Sequence, residues 1–295
     1  MNAIPKNFLK IKNIQNIKVG LDIGGSLTKL AVAVHKEMTD GGIRTKLKKF
    51  DFIEEIELEE NYLFIKHFST NKFKTETLQF LKRINEIQNL SHIYATGGGV
   101  HKFYDLINEE FQISMEKHDE LLSLVKGYLM MNEYNTFYHL IGPNGKFETV
   151  PHEDLEFPHI AVNVGSGVSI LQVNGINDIQ RVTGTLMGGG TLIGLSKLLI
   201  NVDNYNDIMR LAQKGDNTHV DLLVKDIYGS KSVTGSLGLE SDIIASSFGK
   251  IHHYIKKDER DKIRKEDIAK SLLLMICYHI AQLAYLVCKQ NNIKK

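Results

Sequence analysis

The chain has 295 residues, with 36 Lys and Arg against 35 Asp and Glu, so its formal net charge is +1. That balance removes the bulk electrostatic argument for nucleic acid or an anionic membrane surface as a partner. Its two cysteines, Cys277 and Cys288, make neither a disulfide framework nor a metal-ligand spacing. Apolar residues make up 42%, enough for the core of one large domain or two ordinary ones. No apolar run is read as long enough to cross a bilayer. Residues 1–16 read as a loose leader without an apolar signal core, and a cytoplasmic protein is the expectation.

The first element is a strand over Val19–Ile23, and Leu30–Val34 continues a second strand. Gly24 and Gly25 form the turn, where unusual dihedrals and close approach to a ligand are expected. Amides of such a turn can converge on an anion. Ser26, Thr28 and Lys29 add hydroxyls and one positive charge, and Asp22 is a candidate Mg²⁺ ligand. An ordinary hairpin with a surface lysine is the plain alternative.

Lys36–Lys46 reads as a polar loop or insertion. Leu47–Ile56 and Tyr62–Phe68 read as strands, the second by its alternation. Leu78, Leu81, Ile84 and Ile87 place a helix over Phe73–Ile87. A short buried strand, Ser91–Thr96, runs into Gly97-Gly98-Gly99, and a helix from Val100 to about Ile107 starts there. Strand, glycines and helix N-terminus together suit an anion or ligand. A helix is expected over Glu116–Met131. Asp119 and Glu120 lie in its first turn, where favourable interaction with the helix dipole explains them without any site; at about 100° per residue only one of them can face a cleft.

Gly142-Pro-Asn-Gly145 marks a hairpin turn between strands at Thr136–Ile141 and Lys146–Val150. In Ile160–Val173, Asn163-Val-Gly165-Ser166 falls on Asp22-Ile-Gly24-Gly25, and Asn174-Gly175 leads to a third strand, Ile176–Thr183. The chain therefore contains a weak internal duplication, with halves beginning near residues 17 and 159. Two such glycine turns can clamp a polyphosphate, and the paired motifs resemble the acetate and sugar kinase, heat-shock ATPase and actin superfamily. That resemblance implies an α/β fold of two duplicated actin-like (ribonuclease H-like) domains with a nucleotide cleft between them, here 17–157 and 158–295. Gly188-Gly189-Gly190-Thr191 opens a further helix. Arg181 is either a phosphate or carboxylate contact or a strand-surface residue. Amphipathic helices are expected over Asn204–Lys214 and Val220–Tyr228, and a long helix from Lys265 to about Gln290.

Seven segments in register then become specific. They are Asp22-Ile-Gly-Gly-Ser-Leu-Thr-Lys29, Ala95-Thr-Gly-Gly-Gly99, Asp119-Glu120-Leu121, Val162–Ile170, Arg181–Thr191, Lys225-Asp-Ile-Tyr-Gly229 and Ala245-Ser-Ser-Phe-Gly249. Together they resemble the eukaryotic-type (type II) pantothenate kinases. The resemblance implies transfer of phosphate from ATP, with Mg²⁺, to the 4′-hydroxyl of pantothenate, the first step of coenzyme A synthesis, with acyl-CoA as feedback inhibitor and a homodimer as the assembly. It assigns Glu120 as general base, against the dipole reading, and Arg181 as a substrate contact and transition-state cation. Asp22, Gly24, Gly25, Ser26, Lys29, Gly97, Gly98, Gly165, Gly188, Gly189, Gly190 and Thr191 fall on the nucleotide side, with Asp22 on the metal. Ser166, Ser169 and Arg181 fall on the pantothenate and acyl-CoA side.

Members of that family continue past the long helix with a strand, a glycine turn and a last helix. This chain stops at Ile293-Lys-Lys295, so the second domain is expected to be truncated at its C-terminus. The alternative reading is therefore a catalytically impaired relative that binds acyl-CoA or nucleotide as a regulatory or dimer partner. A sugar-directed kinase of the same superfamily is disfavoured by the Asp119-Glu120 helix, by the Arg181 segment, and by Asn163 where such kinases usually place an Asp.

Overall fold

A computed structural model of the chain describes residues 16–132, 138–141, 146–149, 156–229, 240–253 and 263–293; the leader at 1–15 and the turn at 142–145 lie outside them. These residues form two compact units. One runs to His159 and includes Gln172–Gln180; the other is Ile160–Leu171 with Arg181 onward.

The first unit is built on a six-stranded sheet from β1 (Lys18–Ile23), β2 (Leu27–His35), β3 (Glu54–Glu57), β4 (Asn61–Ser69), β5 (His92–Thr96) and β6 (Ser114–Lys117), in the order β3-β4-β2-β1-β5-β6. The β1–β2, β2–β4 and β3–β4 pairs are antiparallel, whereas β1–β5 and β5–β6 are parallel. Antiparallel β4-β2-β1 followed by parallel β5 and β6 is the ribonuclease H-like arrangement of the actin superfamily, with β3 added at the β4 edge. Strict alternation along β1 sends Val19, Leu21 and Ile23 to one face. That face is covered by α2 (Leu78–Ile87) and α3 (Val100–Phe111), through Phe80, Leu81, Ile84, Val100, Phe103 and Ile107. Phe73 stacks on Phe103 with ring centroids 4.0 Å apart. Burying each such side chain contributes roughly 1.5–3 kcal/mol.

Two stretches differ from expectation. Residues 47–53 are not strand: the chain makes a short helix, α1 (Ile43–Leu47), and strand begins only at Glu54. Leu47, Phe50 and Phe52 are instead core residues, with Phe50 and Phe52 both edge-on to Phe80. Likewise Ser114–Lys117 is strand, and the helix α4 (Glu120–Asn132) starts four residues later than read, because Ser114–Lys117 pairs in parallel with β5. Beyond α4, β7 (Tyr138–Ile141) pairs antiparallel with β8 (Lys146–Thr149).

The second unit opens like the first. Strands β9 (His159–Val164), β10 (Val168–Gly175) and β11 (Asp178–Thr185) lie in the order β11-β10-β9, as β4-β2-β1 do. Helices α5 (Gly189–Ile200), α6 (Tyr205–Lys214), α7 (Val224–Tyr228) and α8 (Gly249–His253) follow, with a short ladder of β12 (Leu222–Leu223) and β13 (Ile244–Ser246). Residues 220–223, read as the start of a helix, are a turn and this ladder.

The last helix, α9 (Lys265–Gln290), binds the unit together. Its Ala269, Leu272 and Ile276 pack with Leu192, Ile200, Ile208 and Ala212, and its Val287 packs with Val168 and Ile170. Ser271–Cys288 contains no Asp, Glu, Lys or Arg. By length and composition α9 is therefore long and apolar enough to cross a membrane, which corrects the expectation that no run is. Two buried carboxylates hold α9. Asp221, fully buried, accepts hydrogen bonds from the Phe248 amide, Asn217 Nδ2 and Ser271 Oγ. Asp267, 1% exposed, accepts from Arg264, from His219 Nδ1 at 3.0 Å and from the Asp216 amide at 2.9 Å. Burial is the largest influence on Asp267 and opposes its ionisation, but the hydrogen bonds and the Arg264 charge together outweigh it and hold the carboxyl at about 2.

The folded value lies below the unfolded one, so this stabilisation is complete above about pH 4 and is lost as pH falls toward about 2. Asp267→Asn is expected to lower the urea midpoint at neutral pH, and the deficit against wild type is expected to shrink through that acid window.

Candidate functional site

The turn after β1 is held from outside. Gly24 donates its amide to the Leu27 carbonyl at 3.0 Å, and Thr70, beyond β4, donates its hydroxyl to the Gly24 carbonyl and its amide to the Ser26 carbonyl. Thr28, fully buried, meets the Thr70 hydroxyl at 3.0 Å. Neither Gly24 nor Gly25 has positive φ, which corrects the expectation of unusual dihedrals there. The Gly24 amide is already used within the turn, while Gly25 and Ser26 are exposed.

Asp22 and Lys29 are direct cross-strand partners, and Lys29 Nζ donates to Asp22 Oδ2 at 2.8 Å. Both are partly exposed, so solvent screens the pair and its worth is about 1 kcal/mol or less. Gly97 has φ +91°, and a Cβ on it would lie 2.6 Å from the Ile23 carbonyl oxygen and 2.7 Å from Asp22 Oδ1. The Gly99 amide donates to the same Ile23 carbonyl. The glycines after β5 thus press on the end of β1 and fix the Asp22 carboxylate. Gly98 stands between them with nothing within 4 Å of where a Cβ would lie.

Asp119 accepts from the Leu122 amide at 2.8 Å, an N-cap. That leaves Glu120 as the first, exposed residue of α4. Ser123, one turn on, lines a cavity of about 570 Å³ together with Gly20, Asp22, Lys29, Ala31, Ile65, His67, Tyr94, Thr96 and His118. Further along α4, Tyr128 and His159 Nε2 are 2.5 Å apart, and His159 Nδ1 is 3.0 Å from the Glu156 carbonyl. A carbonyl only accepts, so Nδ1 carries the proton and Nε2 accepts from Tyr128. Burial lowers the His159 pKa and drives that of the Tyr128 hydroxyl far up.

In the second unit the remaining candidates fall together. Gly165, Ser166 and Gly167 turn between β9 and β10, and the Gly189 and Gly190 amides donate to the Gly165 and Ser166 carbonyls. Gly188 packs on the same turn, since a Cβ there would lie 2.8 Å from the Ser166 carbonyl. Thr191 donates to the Leu186 carbonyl. Arg181, exposed, donates from Nε to Ser169 Oγ at 3.3 Å. Among the described residues, no three His, Cys, Asp or Glu side chains converge as a metal cage. A single carboxylate such as Asp22 suits a Mg²⁺ that keeps its waters and shares phosphate oxygens.

The model of the family described as Fumble matches residues 18–295 of this sequence. The chain belongs to the Fumble family, that of the type II pantothenate kinases. Pantothenate kinase of Schizosaccharomyces pombe is 33% identical over 305 residues, covering 99% of this chain and 72% of that protein. Pantothenate kinase 2 of Arabidopsis thaliana is 43% identical over 206 residues, 69% of this chain and 22% of that one. A 4′-phosphopantetheine phosphatase of Mus musculus is 34% identical over 304 residues, 96% of this chain and 35% of its own length. The chain thus spans only 22% of the length of that Arabidopsis thaliana kinase and of pantothenate kinase 2 of Oryza sativa subsp. japonica.

Within this Fumble-family site, sequence reasoning missed Thr70, His67, Thr96, Tyr94 and His118. Thr70 belongs to no motif and is brought in by a turn beyond β4. Three of the others could be found by pairing, since Asp22 faces Thr96 on one side and Lys29 on the other, Lys29 faces His67, and Gly20 faces Tyr94; His118, beyond β6, is in no ladder and is reached through its carbonyl, which accepts from Thr96. Gly97→Ala is expected to strain the backbone by about 1–3 kcal/mol and displace the Asp22 carboxylate. A lowered Tm with weakened Mg²⁺-nucleotide binding by calorimetry is the expected pair of readouts.

Proposed function

We propose that this chain is a pantothenate kinase, transferring a phosphoryl group to the 4′-hydroxyl of pantothenate, and that it works as a cytoplasmic homodimer restrained by acyl-CoA. MgATP supplies the phosphoryl group. The observation that carries the reading is the convergence on one cavity of Asp22, Lys29 and Ser123, the last one turn into the helix that Glu120 begins. Phosphoryl transfer asks little covalent chemistry of a protein; it asks for charge neutralisation, alignment and a group to take the hydroxyl proton. Lys29 and the exposed Gly25–Ser26 edge of the turn hold phosphate oxygens, and Asp22 holds Mg²⁺ through its waters. Because Lys29 and Asp22 pair with each other, each exchanges one ionic partner for another when MgATP binds, which spares both a full desolvation cost.

Glu120 is exposed and held at a fixed helical position by the Asp119 cap, so its carboxylate can orient and deprotonate the attacking hydroxyl. Arg181, set by Ser169, contacts the substrate and the developing negative charge; with Ser166 it also forms the acyl-CoA contact. Family membership and the pantothenate kinases among the relatives support this reading.

The test is pantothenate-dependent ADP formation by the 295-residue chain. Glu120→Gln is expected to lower kcat by about 100-fold or more while nucleotide binding persists. Lys29→Ala is expected to raise the KM for ATP and leave the pantothenate KM nearly unchanged. Folded protein that makes no ADP, and that instead releases phosphate from 4′-phosphopantetheine, would overturn the proposal.

A further inference from the structure

The polar row across the first sheet does not stop at Asp22 and Lys29. The register runs Thr96 on β5, Asp22 on β1, Lys29 on β2 and His67 on β4, each directly opposite the next. Directly opposed residues project from the same face of a sheet with Cβ atoms about 5 Å apart. All four line the 570 Å³ cavity, whose floor is formed by the small residues Gly20 and Ala31. The space above Gly20 is open, with nothing within 4 Å of where a Cβ would stand. His67 therefore stands beside Lys29 on the side away from Asp22, at the edge of an accessible trough. Thr96 donates to the His118 carbonyl, and Lys29 to Asp22.

We propose that His67 is a further phosphate-contacting residue of this site, donating from its imidazole to an oxygen held by Lys29 and taking up a proton when a polyphosphate binds. The proposal rests on the kinase reading and deepens it. Several charged and titratable groups surround His67. Lys29 stands beside it on β2 with Asp22 beyond on β1, Glu54 lies near it on the neighbouring edge strand β3, and Tyr94 and His118 line the same cavity. Burial is the main reason its pKa is lowered, the Lys29 charge adds to it, and Glu54 opposes both. A phosphate seated on Lys29 reverses the local sign: the cation is neutralised and an anion is placed within reach of the ring, which favours the imidazolium. Proton uptake on binding follows by linkage, and nucleotide affinity should rise as pH falls through the His67 titration.

The experiment uses the full chain with Mg²⁺ and a non-hydrolysable ATP analogue, AMP-PNP, so no turnover is needed. NMR of the histidine Cε1–H resonances is recorded across pH with and without the nucleotide, His67 being assigned by its absence in His67→Gln. The expected result is an upward shift of the His67 titration on binding. His67→Gln, which keeps a donor but cannot charge, is expected to weaken binding by about threefold to tenfold at pH near 6 and to flatten the pH dependence of Kd. Lys29→Ala is expected to lose most binding. An unmoved His67 titration beside Lys29-dependent binding would overturn this inference and leave the kinase reading standing. No binding by wild-type protein would overturn both.

Discussion

The first unit depends on how closely the 97–99 turn approaches the end of β1. A parallel strand pair ends there, and the chain must leave β5, pass over Ile23 and start α3 in a few residues. Only a residue without a side chain can occupy position 97, both for its φ of +91° and because Asp22 Oδ1 and the Ile23 carbonyl fill the space. That crowding fixes the carboxylate. From Asp22 the register carries order outward, to Lys29 across one ladder and to Thr96 across the other. The core beneath, Val19, Leu21 and Ile23 against α2 and α3, keeps the register from slipping, since a one-residue slip would turn the buried set to the open face.

The glycine clusters after β5 and at the start of α5 do the same work, close packing of backbone on backbone. Gly97 and Gly99 permit contact between backbone segments, and Gly188, Gly189 and Gly190 do the same between α5 and the 165–167 turn. Several amides that a sequence reader would offer to an anion are already spent on carbonyls, among them those of Gly24, Gly99, Gly189 and Gly190. Charge for an anion in the first unit therefore comes chiefly from side chains, Lys29 above all.

Much of this was legible in the sequence. Apolar runs located β1 and β2, alternation located β4, and the turn residues located the hairpin; the Asp22–Gly25 and Asn163–Ser166 pair falls at the first turn of two like strand orders, β4-β2-β1 and β11-β10-β9. What escaped was set by pairing at a distance. Leu47, Phe50 and Phe52 looked like a strand because they are apolar, yet they form one wall of an aromatic cluster with Phe80. Ser114–Lys117 carries three polar or charged residues in four and is strand only because β5 lies beside it. Asp119 and Glu120 were ambiguous to propensity; the geometry separates them, one spent on capping and the other exposed.

Asp221 has a consequence for the order in which the protein forms. Its carboxylate is completed by Asn217, close by in the chain, by Phe248, and by Ser271 fifty residues later. On a ribosome, the first unit has all six strands of its sheet by Lys117, and its helices pack on local neighbours. The interior of the second unit cannot close until α9 has emerged, because that helix supplies both the last acceptor-filling hydroxyl and the apolar wall for α5 and α6. During synthesis the nascent chain therefore passes through a stage with one finished half and one half still open, its Leu192 and Ile208 awaiting cover.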